Sequence, residues 1–243
     1  MFSLYKKEIQ SFFYSPFAYV LSALFMLIFG FAFVNRIANM QTSVFQFSFP
    51  DMFYNNFFYF VFIIPLLTMR SFADERRGGT EVQLLTSPLT IPQIVFAKFF
   101  AIVTVFVFML VLSLFFPIYV ANHGTVIWPS LICGYASFFL WGMVCIAIGM
   151  LISAMQSSAI IAAIIGEIVM EGFLAIDQFG GSKMVESYPH LNSVVTWFSM
   201  QRRFVFFAQG MFRLEDLVFF LSLTALVLFW IILHIEKRRR SHH

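Results

Sequence analysis

The chain has 243 residues, 60% of them hydrophobic and only 11% charged, with a mean hydropathy of +0.87. A soluble domain carries about 25% charged residues, so this composition excludes a solvated globular domain and points to a multi-span protein whose solvent is lipid. The formal net charge of +3 is concentrated in a few basic clusters beside apolar runs, a pattern that reports membrane topology and argues against nucleic acid as a partner.

Residues 2–14 are predicted to form an amphipathic helix. Phe2, Tyr5, Ile9, Phe12 and Phe13 recur at three- and four-residue steps, and Lys6, Lys7, Glu8 and Ser11 fill the opposite side. Such a helix lies in the membrane interface, aromatics down and lysines toward anionic headgroups, so residues 1–15 are read as an interfacial helix. Ser15-Pro16 ends it, and proline in a first turn suits a new start. The opening MFSLYKKEIQ lacks the plan of a signal peptide, so the first span, about 17–34, is expected to stay in the mature protein.

Residues 35–56 are polar and aromatic and read as an exposed loop or short interfacial helix. Span two, about 57–69, extends past Arg70, with Pro65 as a candidate kink. Span three, about 94–120, is long enough to cross a core of ~30 Å with tilt. Asn122-His123-Gly124 reads as a turn. Span four, about 128–153, holds Cys133 and Cys145, which lie roughly 18 Å apart on a helix. That is too far for a disulfide, and both read as packing residues. A polar turn at 154–158 leads to span five, about 159–176, where Ser158, Ala162 and Gly166 at four-residue steps let another helix approach closely. Residues 177–215 are the longest non-spanning segment, read as short interfacial helices because the aromatics need cover. Span six, about 217–235, runs into a basic tail at 236–240. The 36 phenylalanines are read mainly as lipid-facing bulk.

Six spans put both termini on one side. Lys6 and Lys7, then Arg70, Arg76 and Arg77, then Lys237 to Arg240 share that side, which makes it the cytoplasm. Arg202, Arg203 and Arg213 oppose this, but they lie in a longer segment and do not outweigh three clusters. The expected fold class is an all-α membrane protein: one permease-like domain over 1–243, six transmembrane helices, a cytoplasmic segment at 70–90, and an extracytoplasmic segment at 177–215. It is expected to be a multi-pass protein of the cell (cytoplasmic) membrane.

The chain is organised around Arg70–Gln93, RSFADERRGGTEVQLLTSPLTIPQ. Gly78-Gly79 interrupts the extension of span two, since consecutive glycines weaken a helix and permit a sharp turn. Thr80 can cap a new helix, with Gln83 completing a capping box and Glu81 in its first turn, where an acid suits the dipole. Val82, Leu84 and Leu85 give a small apolar face. The helix ends by Ser87, because Pro88 disfavours helical geometry before it. A second box, Thr90 with Gln93, starts span three. These residues specify a short helix laid across the membrane surface between two spans; a plain capped hairpin is the simpler reading.

The run Glu75-Arg76-Arg77-Gly78-Gly79-Thr80-Glu81-Val82-Gln83-Leu84-Leu85-Thr86-Ser87-Pro88 resembles the coupling-helix signature of the ABC type-2 exporter permeases. The interfacial helix, six spans, long external segment and basic tail are similar too. Phe206, Phe207, Gly210 and Leu214-Glu215-Asp216-Leu217 are similar to the gliding-motility permease subgroup. Such permeases often have one glycine before the threonine, where this chain has two. The resemblance implies a half-transporter. A second permease chain, identical or a paralogue, would pack beside it in the lipid bilayer, and each chain would rest on a cytoplasmic ABC ATPase subunit. An accessory extracytoplasmic protein is a further implied partner. Glu75, Arg76, Arg77, Gly79, Thr80, Glu81, Leu84, Leu85, Ser87 and Pro88 would receive the ATPase motion, the charges setting the docking register and the leucines filling a groove. The sequence has no G-x-x-x-x-G-K-[ST] phosphate loop, so the chain is not expected to be an enzyme or to hold a cofactor. ATP and Mg are expected on the partner ATPase.

Glu167 and Glu171 lie four apart on one face of span five. Carboxylates inside a membrane are costly, so each is a functional candidate for a pathway or a cation. The alternative is a broken or re-entrant span that leaves both in the wet outer region. His123, His190 and His234 have no zinc spacing, and neither H-E-x-x-H nor G-x-S-x-G occurs. The competing functions are a scaffold or mechanotransmission subunit driven by the same kind of ATPase, and an ATP-independent channel or carrier.

Overall fold

Prolines and capping residues set most of the helix ends in the computed structural model, which describes residues 1–38, 46–47, 57–81, 89–179, 203 and 213–241. Helix α1 (Phe2–Tyr14) stops at Ser15, whose backbone is extended, and Pro16 opens α2 (Pro16–Ala38). Ser15 Oγ accepts the Phe17 N–H at 3.2 Å, an N-cap for α2. Leu4 of α1 is buried, and the Tyr5 hydroxyl meets Thr104 Oγ1 at 2.9 Å. The periodicity therefore located the helix, but part of its apolar face rests on protein.

Helix α3 (Phe57–Thr68) runs through Pro65 without a break, and α4 (Arg70–Arg77) follows directly, Met69 between them keeping helical angles. The two make a near-continuous rod about 30 Å long, so the helix expected over 57–69 continues past Arg70. Helix α5 (Ile91–Ser113) starts at Thr90, whose N–H donates to Gln93 Oε1 at 3.2 Å, the reciprocal half of the expected capping box. It gives way at Leu114 to α6 (Phe115–His123). Pro117 explains the break, since it has no N–H for the Ser113 carbonyl and its ring crowds that oxygen. The turn expected at Asn122 starts later, because α6 continues through His123 and ends at extended Gly124. There Thr125–Val126 (β2) pairs in parallel with Gln46–Phe47 (β1), a bridge of two residues on each side.

Helices α7 (Trp128–Met155), α8 (Ala159–Phe179) and α9 (Leu214–Ser241) follow among the described residues. Basic residues 238–240 lie inside α9, so the tail is a continuation of the last helix. At its other end Asp216, almost wholly buried, pairs with Arg203 at 2.8 Å, and the Arg203 guanidinium sits over Phe219.

Among the described residues four stretches are long and apolar enough to cross a membrane: Pro16–Ala38, Ile91–His123, Trp128–Met155 and Leu214–Arg240. Their burial ranks them. The α7 window is 78% buried against 39% for α2 and α9, so α7 is the hub, packing on α3, α4, α5, α8 and α9. It reaches them through small residues. A Cβ on Gly142 would stand 2.3 Å from Phe106 of α5, and one on Gly149 would stand 2.2 Å from Thr68 Oγ1 of α3. Gly166 of α8 likewise lies against Pro65 of α3, the close approach expected from its spacing. Small residues at such contacts are how helices gain packing in lipid, where apolar burial gives little drive.

Phenylalanine is used differently from the expectation. Phe25, Phe29, Phe138 and Phe220 are among the most deeply buried side chains. Phe29 and Phe33 of α2 meet Phe116 of α6 with centroids 5.2 and 4.9 Å apart, and Phe106 of α5 meets Phe138 of α7 at 5.9 Å. Phe31, Phe62, Phe115 and Phe229 face outward, as lipid-exposed bulk should.

Candidate functional site

Helix α4 carries the polar half of the rod. Its inner face, Ser71, Phe72 and Ala73, is buried, while Arg70, Asp74 and Arg77 point outward. The start of α4 is held by a serine from another helix. Ser153 Oγ, at the end of α7, accepts the N–H groups of Phe72 and Ala73, both at 3.2 Å, and donates to the Met69 carbonyl at 2.9 Å. A hydroxyl inserted in this way replaces part of the helix's own ladder, which accounts for the junction at Met69. Thr68 bonds back to the Ile64 carbonyl at 3.0 Å just before it.

The end of α4 is set by the two glycines. Gly79 has φ of 68°, the left-handed region that favours glycine. Its N–H donates to the Arg76 carbonyl at 3.2 Å, and the Thr80 N–H donates to the Glu75 carbonyl at 3.0 Å. That pair of bonds is a Schellman cap. The second glycine therefore has a defined role: Gly78 is the C-cap and Gly79 turns the chain. The Thr80 hydroxyl also donates to the Glu75 carbonyl, at 3.3 Å, so it faces back to α4. Its box partner Gln83 lies outside the described residues, as do Leu84, Leu85, Ser87 and Pro88.

The charges of the motif separate into two groups. Arg77 is exposed, as are Gly79 and Thr80. Glu75, Arg76 and Glu81 turn inward. Glu75 Oε1 is 2.7 Å from the ammonium of Lys98 on α5, which also donates to Glu8 Oε1 of α1 at 3.0 Å and to the Ser71 carbonyl at 2.8 Å. Lys98 is 2% exposed, and its three N–H donors are all satisfied. Burial pushes the Glu75 carboxyl above its ordinary range and Lys98 pulls it back; the neighbouring Glu8 adds to the rise. Glu8 is thus a structural partner and not part of a solvated face. A second chain of charges follows. The Arg76 guanidinium donates to the Ala154 carbonyl and lies 3.4 Å from Glu81, whose other oxygen is 2.8 Å from Arg238 of α9.

The junction between α4 and the segment after it is therefore tied to α1, α5, α7 and α9. The ties are ion pairs and one serine hydroxyl. Glu167 and Glu171 stand elsewhere, on α8, which is unbroken through both positions. One carboxylate oxygen of each is buried without a hydrogen bond among the described residues. Sequence reasoning missed Lys98, Ser153, Arg238 and the inward role of Glu8. Lys98 had a signal, as the lone cation within an apolar run. Ser153 had none, because a serine at the end of an apolar helix is unremarkable until its partner is known.

The match to known families falls on this region. A family model described as ABC-2 family transporter protein matches residues 10–172. That range runs from the end of α1 to α8 and contains Lys98, Ser153, all of α4 and the segment that follows it. No curated protein matches the chain. With two thirds of its length matched, and with apolar helices long enough to cross a bilayer, the chain belongs to the ABC-2 transporter family and is a membrane permease component of an ABC transporter.

Proposed function

We propose that the chain is the membrane-spanning half of an ATP-driven exporter, and that the junction at 70–90 receives motion from a cytoplasmic ABC ATPase. Family membership implies the ATPase partnership. The coupling role is supported by one observation above all: α4 is braced along its length to four other helices by Ser153 at its start, Lys98 in its middle and the Arg76–Glu81–Arg238 chain at its end. In this reading α3 is span two and α4 its cytoplasmic extension, α8 is span five, and both termini are cytoplasmic. A second copy or a paralogue completes the pathway. Arg77, Gly79 and Thr80 meet the ATPase together with Leu84, Leu85, Ser87 and Pro88, while Glu75, Arg76 and Glu81 hold the receiving surface in place.

The test separates contact from bracing. Arg77→Glu combined with Leu84→Ala is expected to leave the melting temperature of the purified chain unchanged. Stimulation of the partner ATPase should fall by roughly tenfold, within the usual range of coupling energies. Retention of both co-purification and stimulation would overturn the coupling role.

Glu167 and Glu171 are proposed to line the pathway, on the ground that each keeps a buried oxygen unbonded within an unbroken helix. Glu171→Gln should then lower transport in reconstituted vesicles while assembly with the ATPase is preserved. Unchanged transport in that variant removes Glu171 from the pathway.

A further inference from the structure

One cavity lies against α4 on the side that faces α1. It measures about 260 Å³ and opens between α1, the start of α2 and α4, with Lys98 on its floor. Pockets for drug-sized solutes run from roughly 300 to 1,000 Å³, so this one suits a small polar group better than a whole solute. Its walls hold three cations, Lys7, Arg70 and Lys98, against three carboxylates, Glu8, Asp74 and Glu75. Lys98 is spent on Glu8, Glu75 and the Ser71 carbonyl. At the rim Lys7 is exposed, and Arg70 and Asp74 stand 3.8 Å apart, each side chain about half exposed. That rim pair is too long for a good hydrogen bond and leaves guanidinium donors and carboxylate acceptors for a ligand.

Two further observations point to what the ligand is. Ser71 is 6% exposed and lines the cavity, yet its hydroxyl has no hydrogen-bond partner among the described residues. A buried hydroxyl in that state calls for a partner from outside the fold. The mouth also adjoins an apolar surface: Phe17 lies under Arg70 with the guanidinium 4.4 Å from its ring, and Tyr19 and Val20 beyond it are 54% and 62% exposed. A ligand with a small charged end and a long apolar tail matches both parts.

We propose that this cavity holds the headgroup of an amine-bearing zwitterionic membrane phospholipid, its phosphate on Arg70 and Lys7, its ammonium on Asp74, and its acyl chains along the exposed side of α2. The balance of charge selects the zwitterion, since an anionic headgroup would leave the cavity with an unmatched negative charge. The bound lipid would wedge between α1 and α4 beside the Lys98 brace.

The full chain, purified in mild detergent, tests this by native mass spectrometry and thermal melting with added phosphatidylethanolamine, phosphatidylcholine or phosphatidylglycerol. Phosphatidylethanolamine is expected to be retained about tenfold better than the other two, a difference of ~1.4 kcal/mol, and to raise the melting temperature most. Arg70→Gln and Asp74→Asn should each abolish that preference. Inorganic phosphate and free phosphoethanolamine form the soluble arm; stabilisation by either, equal to that by the lipid, would reassign the cavity to a soluble ligand. Equal retention of all three lipids by the wild type would reduce the binding to nonspecific solvation and overturn the proposal. That comparison holds even if a variant fails to fold.

Discussion

Replacing Lys98 by methionine is expected to destabilise the chain by about 3–5 kcal/mol, the usual cost of breaking a buried ion pair from one side. The side chain is 2% exposed and holds two carboxylates from different helices. Its removal leaves Glu8 and Glu75 together, both mostly buried, with no cation between them. Melting of the purified protein, followed by tryptophan fluorescence, measures the loss. Adding Glu8→Gln and Glu75→Gln to Lys98→Met should restore a large part of it, because the penalty lies in the uncompensated charges and not in lost packing. The pH dependence carries the same sign. Burial already holds the Glu75 carboxyl above its ordinary 4.5 against the pull of Lys98. A carboxyl of this kind binds its proton more readily in the folded chain, so stability falls as pH rises from the ordinary value through the raised one. Without Lys98 that window extends upward, and acidification should rescue Lys98→Met more than it affects the wild type. A variant that melts like the wild type near neutral pH would refute the brace.

How much of this was legible in the sequence depends on which physical signal each feature leaves. Helix ends set by backbone chemistry were readable: Pro16, the Thr90–Gln93 box and the Gly78-Gly79 stop all fall where expected. The break at Leu114 was missed, although Pro117 signals it. Burial was much harder to read. In a bilayer both the inside and the outside of a helix bundle are apolar, so hydropathy and its period do not separate buried Phe29 from exposed Phe31. Small residues carried more information, and Gly166 was placed against a neighbour from spacing alone. Long-range polar partners left almost no trace. Glu8, Glu75 and Lys98 are far apart in the chain, and nothing in local pattern joins them. The family was readable because its motif is local; the ion pairs that hold the motif to other helices were not. The core of that motif at 82–88, including Leu84 and Leu85, lies outside the described residues.

Gly149→Ala should give the largest loss from a single added methyl group. The new Cβ would lie 2.2 Å from Thr68 Oγ1 and 2.9 Å from Thr68 Cβ, closer than packed atoms tolerate. Thr68 is 1% exposed, and its hydroxyl is bonded to the Ile64 carbonyl, so it has no free space to turn into. The helices must therefore separate, at a cost of about 1–3 kcal/mol for an overpacked core. The separation acts on the junction as well. Ser153 is one helical turn beyond Gly149 on α7, so moving α7 outward draws its hydroxyl from the Met69 carbonyl and from the N–H groups of Phe72 and Ala73. The variant is expected to lose melting temperature and ATPase stimulation together. Thr68→Ala should recover part of both by removing Oγ1, and not all, because Cβ at 2.9 Å stays in place. Gly172→Ala is the control: nothing lies within 4 Å of its added Cβ, so the same substitution there should be close to neutral. Equal melting of Gly149→Ala and Gly172→Ala would show that α7 does not approach α3 as closely as the Gly149–Thr68 contact requires.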